Sequence, residues 1–396
     1  MSRPHGRAWE RRLQLAAHPL AYPFIAAVAR RGPAVRVPGV GIVVSDPELA
    51  RRVLLDQDGF RKDGPGSSGA LWTPVLGPAV LLNMEGEEHR RLRATLAGLF
   101  TRTQATELCA AVLGPVLREA TDRLAAGAAV DLVALTRTAA GAVIGDLLGV
   151  ADAAGAEVFE SGERIVRMVG LRTRELSPRQ VARARQVLAG LVAAAGDAYD
   201  RAEAGSMMGR LRAYGLDRTQ SLGLAAAFLL TGTETVATTV PRIFALWHDH
   251  GLLPELRAAF AQAGPDDTAV CDAAVDEAMR VITPSPAMLR RAAAPARLGS
   301  TQVRAGDRVV VATARCDLAA GPFDPAAARG RCPAHDPRRL WFGAGPHYCI
   351  GAPLALAEIR QLVRTVVLAG ADRIVHRRAA RRVLIPTYAR LEVAAG

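Results

Sequence analysis

Cys349 stands in a frame of glycines. The stretch W-F-G-A-G-P-H-Y-C-I-G-A-P-L-A-L-A-E, residues 341–358, places Gly343, Gly345 and Gly351 around it. Glycine admits left-handed turns and close backbone approach. The run that follows predicts a helix from Gly351 to Leu368, so the sulfur sits at a helix mouth. Amide N–H groups and the helix dipole there favour a negative sulfur. Such a thiolate is either a nucleophile or a metal ligand. A second unusual stretch is T-G-T-E-T-V-A-T-T, residues 231–239, inside a long apolar run. Gly and Thr are poor helix formers and a buried carboxylate is costly. A purely structural helix has no reason to accept Glu234 there. Two ordinary helix-face pairs complete the candidates. Glu277 and Arg280 lie at i, i+3 in E-A-M-R, and His89 and Arg93 lie at i, i+4 in H-R-R-L-R. Cys332 and His335, with C-P-A-H spacing, offer a zinc site if joined by His347 and Cys349. A structural zinc site needs that closed set of four ligands.

The elements that must position these residues are mainly helical. From Glu87 to about Asp200 the pattern is helical, with breaks near Thr101, Gly127, Gly149 and Ser177. Leu222 to Leu246 reads as one helix, apolar on all sides in its first half and therefore central, with Pro241 expected to bend or shorten it. Another helix runs from about Thr268 to Val281. Ala34 to Ser45 alternates about P-G-V-G and predicts a β-hairpin. Residues 296–313 read as strands around the turn at Ala305-Gly306, and the tail as a small sheet. Residues 60–80, rich in Gly, Ser and Pro, predict a long loop. The sum is mainly α with a small β region, without βαβ alternation or internal repeats.

Composition bounds the function classes. Half of the 396 residues are hydrophobic, enough for a large core, and the formal charge is +12. Lys62 is the only lysine, so almost all of that charge is arginine, as in a GC-rich bacterial coding bias. No nucleic-acid reader module accompanies the charge, so no nucleic-acid partner is expected. The five cysteines (Cys109, Cys271, Cys316, Cys332 and Cys349) are odd in number and irregularly spaced, which does not read as a disulfide framework. The apolar stretch near the N-terminus is broken by Pro19 and Pro23 and is too short to span a bilayer. A cytoplasmic protein without membrane insertion is the expectation.

The frame around Cys349 resembles the haem-binding loop of the cytochrome P-450 family, F-x-x-G-x-x-x-C-x-G, in Phe342, Gly345, Cys349 and Gly351. His347 is common at its place in bacterial members. Three further motifs follow in the family's order, so the resemblance runs from about Val37 to the C-terminus. It implies a single triangular domain over 1–396, with a mixed helix and hairpin part to about 60 and a helical core from about 85. Haem b would lie between the Leu222–Leu246 and Gly351–Leu368 helices, with Cys349 as the axial thiolate. Gly232, Glu234 and Thr235 match the oxygen-activation motif A/G-G-x-D/E-T, with Thr231 where Ala or Gly is usual. This implies a kinked helix with a groove for dioxygen, and an acid–alcohol pair that supplies protons. His89, Arg93 and Arg290 look like propionate ligands, with Arg291 as the rival to Arg290. Glu277 and Arg280 match E-x-x-R and take a structural role. The segment V-A-T-A-R-C-D-L-A-A-G-P-F-D-P retains Arg315, Asp317, Phe323 and Asp324 but is shorter than its family counterpart, which leaves its loop geometry open.

Family topology points to Leu71, Trp72, residues 163–171 with Val169, Thr231, Pro284 to Leu289 with Met288, and Thr387 as substrate contacts. The implied function is a monooxygenase that inserts one oxygen atom from O2 into a C–H bond of a hydrophobic small molecule or modified peptide, in bacterial secondary metabolism. Oxidative coupling at the same centre is one alternative, and a non-catalytic haem- or zinc-binding protein is another. A monomer is expected. No reductase segment accompanies the chain, so a ferredoxin with its reductase, or a flavodoxin, is the expected electron donor, docked by arginines that include Arg90 and Arg360.

Overall fold

The computed structural model of the protein describes residues 5–150, 164, 173, 175–264, 267–330 and 339–396. Its axis is one helix, Arg218–Asp249. Asp217 opens it with a capping box: its carboxylate accepts from the Gln220 amide, and the Gln220 side chain accepts from the Asp217 amide. The helix continues through Pro241, which is buried like every residue from Val236 to Trp247. Packing on all sides supplies what proline removes from the helical hydrogen bonding. The helix is long and apolar enough to cross a membrane, but 67% of its most apolar stretch is buried within the fold.

Helices Leu132–Leu148, Ala269–Ile282, His5–Ala17 and Ala352–Leu368 pack against this axis. Their ends lie where the sequence breaks predicted. Thr101 caps Arg102–Ala125, Ser177 caps Pro178–Leu191 with a second capping box, and Gly149 ends Leu132–Leu148 at a φ of 82°. The first helix is fastened to the axis by a buried ion pair between Glu10 and Arg242, at 2.6 Å.

The β region depends on partners far apart in sequence. Ala34–Val37 and Gly41–Val44 form the expected hairpin. Gly41–Val44 also pairs in parallel with Arg308–Val311, which pairs antiparallel with Met288–Ala292, and Phe60–Arg61 closes the edge. The tail strands Ala371–Ala379 and Tyr388–Ala395 pair antiparallel, with Val130–Asp131 on the outer side. The expected loop over 60–80 instead holds the short strand Phe60–Arg61 and the helix Ser68–Leu76. Ser67 caps that helix, and Gly69 lies so close to the Lys62 carbonyl that a Cβ would come within 2.7 Å. The polar and glycine residues serve the cap and this approach, while Leu71, Val75 and Leu76 are buried.

Glu277 and Arg280 are both largely buried and doubly bonded, at 2.6 and 2.8 Å. Arg280 also donates to the carbonyls of Asp317, Gly321 and Pro322, and Glu277 accepts from the Asp324 amide. The pair therefore anchors the shortened segment: Asp317 accepts from the Leu340 amide and the Thr283 hydroxyl, both at 3.0 Å. Arg280→Ala leaves a buried carboxylate and three carbonyls without their cation, so a loss of about 3–5 kcal/mol is expected. Urea unfolding measures it, and a loss under about 1 kcal/mol would place the pair with ordinary exposed ion pairs.

Candidate active site

The Cys349 loop is held between two cores. Leu340 and Ala344 belong to the apolar cluster under the sheet, with Ile42, Leu54, Phe60 and Val309. Trp341, Phe342 and Ile350 pack with the helices. Within the loop the Cys349 amide donates to the Phe342 carbonyl at 2.9 Å. Gly345 has a φ of +70°, and a Cβ there would come within 2.7 Å of the Leu54 carbonyl, so the turn requires glycine. Helix Ala352–Leu368 begins three residues after the cysteine.

Cys349 lies deep in the protein yet is accessible to a water-sized probe, so its sulfur faces an internal space. The amides of Gly351 and Ala352 and the charges of Arg93 and Lys62 favour the thiolate, but burial outweighs them and pushes the thiol pKa up. The helix mouth alone does not ionise this sulfur. A metal cation does, because a coordinating thiol is deprotonated outright.

The long helix turns one accessible face towards the same region. Between Leu224 and Trp247, Phe228, Leu230, Thr231, Gly232 and Thr235 alone are not buried, and all but Leu230 follow an i, i+3, i+4, i+7 stripe. Phe228 stacks on Phe100, with ring centroids 5.5 Å apart. Phe100 in turn lies 3.9 Å from where a Gly351 Cβ would be, and that position is 4.0 Å from the Cys349 sulfur. The Thr235 hydroxyl donates to the Thr231 carbonyl at 2.8 Å, and Thr231, Thr233, Thr238 and Thr239 make equivalent bonds one turn back. These bonds satisfy the hydroxyls while helical hydrogen bonding runs unbroken through the stretch. Glu234 is buried beside this face. Gly232 has a local reason as well: a Cβ there would meet Ile144 at 2.5 Å.

Within electrostatic reach of Cys349 lies a polar cluster. His89, on helix Gly86–Ala97, is fully buried, and neither ring nitrogen has a hydrogen-bond partner among the described residues. Its ring lies 4.3 Å from that of His347, whose Nε2 bonds Glu85 at 3.0 Å. Burial, then nearby cations, hold the His89 pKa down to about 4; burial also holds His347 down to about 4, despite Glu85. Arg93 donates to the Tyr348 carbonyl at 2.6 Å. Arg290 is 2% exposed, with its pKa lowered by burial to about 10. Alternation along Met288–Ala292 puts Met288 and Arg290 on one face and Leu289 and Arg291 on the other. Met288 meets Gly343 of the cysteine loop, whereas Leu289 packs with Val43 and Val310. Arg290 reaches Glu85 electrostatically.

The other predicted contacts are more scattered. Leu71 and Thr387 are buried, Thr387 against the Thr238 carbonyl, and Trp72 is half-buried. Val169, and with it most of 163–171, lies outside the described residues, as do Cys332 and His335 of the zinc alternative. Among the described residues no cluster of three or more His, Cys, Asp or Glu is placed to hold a metal. Arg360 is ion-paired with Asp272 and Arg90 with Glu87, the latter pair exposed at the surface. A crevice of about 590 Å3 at the sheet rim, lined by Arg36, Glu175 and Arg308 among others, contains none of the predicted site residues.

Comparison with known proteins decides the family. The chain is 31% identical over 343 residues to pentalenic acid synthase of Streptomyces avermitilis, covering 82% of this chain and 79% of that one. The chain belongs to the cytochrome P-450 family. The family's own model matches residues 216–369, from the start of the long helix to the end of the cysteine-loop helix. A C-19 steroid 1alpha-hydroxylase of Sorangium cellulosum is 28% identical over 293 residues, 71% of either chain. The fold matches that of a mutant P-450 EryK solved with erythromycin B, with a TM-score of 0.78 at 21% identity, covering 96% of this chain and 97% of that one. The mainly helical P-450 fold with a small β region and the family's monooxygenase character therefore hold for this chain.

The residues present fit a haem. A sulfur facing an internal space, a fully buried histidine with two unpaired nitrogens, and cations without carboxylate partners form the donor set that an iron porphyrin with two carboxylates needs. Three residues of this region were not singled out from sequence: Lys62, Glu85 and Glu358. Glu85 accepts from the Lys62 amide and from His347; burial opposes its ionisation, but these bonds hold its pKa below the usual range. The signal for Lys62 was its being the sole lysine.

Glu358, on the cysteine-loop helix, is 1% exposed, and its Oε1 has no hydrogen-bond partner. Burial raises its pKa to about 8. The folded state therefore holds a proton that the unfolded chain releases near 4.5. Its contribution to stability is greatest below that pH and is lost as pH rises towards 8. Glu358→Gln is expected to be more stable than the parent at pH 8, by on the order of a few kcal/mol, with little difference near pH 4.5. Equal pH dependence of unfolding in the two proteins would show that Glu358 ionises freely in the fold.

Proposed function

We propose that this P-450 inserts one oxygen atom from O2 into a C–H bond of a bulky hydrophobic metabolite, with electrons from a separate ferredoxin or flavodoxin. The observation that carries this reading is the accessible stripe of the long helix, Phe228, Thr231, Gly232 and Thr235, linked through Phe100 to the Cys349 loop. When bound, haem would supply dioxygen activation, which a thiolate ligand favours. Cys349 would hold its iron, and His89, Arg93 and Arg290 would bind its carboxylates, with His347 positioned by Glu85.

The chain's own share is proton handling and shape. With its proton on the Thr231 carbonyl, Thr235 keeps its lone pairs free to accept from a water in the cavity. That orients a proton-carrying water, and Glu234, one residue away and buried, is the acid that replenishes it. Phe228 and Phe100 make that side of the cavity apolar, and Thr231 adds a hydroxyl within reach of the substrate. The relatives support the substrate class: the named reactions and ligands concern a steroid and erythromycin B. A cytoplasmic bacterial enzyme of secondary metabolism fits them.

Two variants test the reading. Cys349→Ala is expected to abolish turnover and the thiolate-type spectrum of the carbon monoxide complex; an active variant with an unchanged spectrum would sink the assignment. Glu234→Gln should retain haem and spectrum while product formation falls about 100-fold, the usual scale of a general acid. Wild-type rate and coupling of electrons to product in that variant would remove Glu234 from the proton path. Product mass checks the reaction type: a gain of one oxygen is expected, and a loss of two hydrogens would indicate coupling or desaturation.

A further inference from the structure

Three cations around the site have no ion-pair partner among the described residues. The Arg290 guanidinium donates to the Leu289 carbonyl alone, and that of Arg93 to the Tyr348 carbonyl alone. The third is Lys62. Its amide is bonded to Glu85 and its carbonyl accepts from Gly69, but its ammonium group makes no hydrogen bond.

Strand pairing brings two of these charges near each other. Phe60 pairs with Ala292 and Arg61 with Arg291. Lys62 is the next residue, where the chain leaves the strand in a bend, and it lies within electrostatic reach of Arg290. A buried like charge nearby disfavours the charged form of each. Lys62 also lies within electrostatic reach of Arg93, Cys349 and Glu85. Glu85 is the carboxylate among these neighbours, and its oxygens already accept from the Lys62 amide, Gln57 and His347. Three positive charges against one negative leave an excess of two.

A ferric porphyrin core held by a thiolate is neutral, so a bound haem brings the charge of its two carboxylates. We propose that Lys62 is a third cationic ligand of the haem carboxylates, beside Arg93 and Arg290, and that the pocket is built for a dianion. The proposal rests on the haem-thiolate reading above. It explains why a cation is placed against another cation, and why the one lysine stands here: a compact ammonium on a flexible stem reaches a carboxylate that a second planar guanidinium beside Arg290 would crowd. Burial first, and then Arg290, lower the Lys62 pKa to about 7, so an anion alongside is what keeps it fully charged.

The test uses the holoenzyme. Haem transfer to excess apomyoglobin is expected to be about 10-fold faster or more from Lys62→Met than from the parent, the scale of a lost charge-assisted hydrogen bond. Lys62→Arg should restore most of the retention. Resonance Raman should show shifted propionate bending modes in Lys62→Met, with the thiolate-type carbon monoxide spectrum unchanged. Should the variant not fold, the single lysine gives a second measurement in the parent. With haem bound, Lys62 should resist acylation under conditions that modify the terminal amine, as read by peptide mass spectrometry. Unchanged haem transfer and unchanged propionate modes in Lys62→Met, or rapid acylation of Lys62 in the holoenzyme, overturn the proposal. A protein that binds no haem, or binds it without the thiolate spectrum, overturns the haem-thiolate reading itself.

Discussion

A charge taken out of water must find a partner, and around Cys349 that requirement separates what holds the fold from what receives a ligand. Glu10 with Arg242, and Glu277 with Arg280, are buried pairs in which each cation meets a carboxylate within the chain. Removing one member of such a pair strands the other. The cations at Lys62, Arg93 and Arg290 are left open, although a fold could have given them carboxylates. His89 is open in the same way, with two buried nitrogens and no hydrogen-bond partner among the described residues. Unsatisfied groups of this kind are rare in a well-packed interior and call for an explanation. For the groups around Cys349, the proposed haem carboxylates supply one.

The same economy governs the long helix. Thr233, Thr238 and Thr239 would each bury a hydroxyl at a cost, and each avoids it by bonding one turn back, as the accessible Thr231 and Thr235 also do. The helix thereby carries polar groups through the core while keeping its backbone pattern, and opens one narrow stripe to the interior. Reactive groups stand on rigid elements at both sides: a threonine on a 32-residue helix, and a cysteine in a loop wedged between two apolar clusters. Gly345 makes the wedge possible, because any side chain there would collide with the Leu54 carbonyl.

Much of this was legible in the amino-acid order because it is local. Helix ends at Thr101, Gly149 and Ser177 follow from capping chemistry within a few residues. The apolar character of the central helix follows from its own composition, and the cysteine frame from glycines within a short reach. The segment 60–80 misled because its Ser and Gly content signals a loop, while a serine cap and a close approach to Lys62 turn it into a strand end and a helix. Leu289 was grouped with Met288 on family topology, whereas strand alternation sends the two to opposite faces.

What the sequence determined by itself is the kind of chemistry: a cysteine ligand, an acid beside an alcohol, a basic clamp and a mainly helical frame, each encoded by neighbours in the chain. What only the tertiary structure decided is which charges are left without partners. Lys62 and Arg290 are separated by more than half of the chain, and their meeting depends on the edge strand Phe60–Arg61 pairing with Met288–Ala292. Burial determines whether the Cys349 sulfur ionises unaided, and it wins over the amides that the sequence places beside it. Ion pairing and desolvation are sums over everything within a few ångströms, and only the folded chain brings those neighbours together.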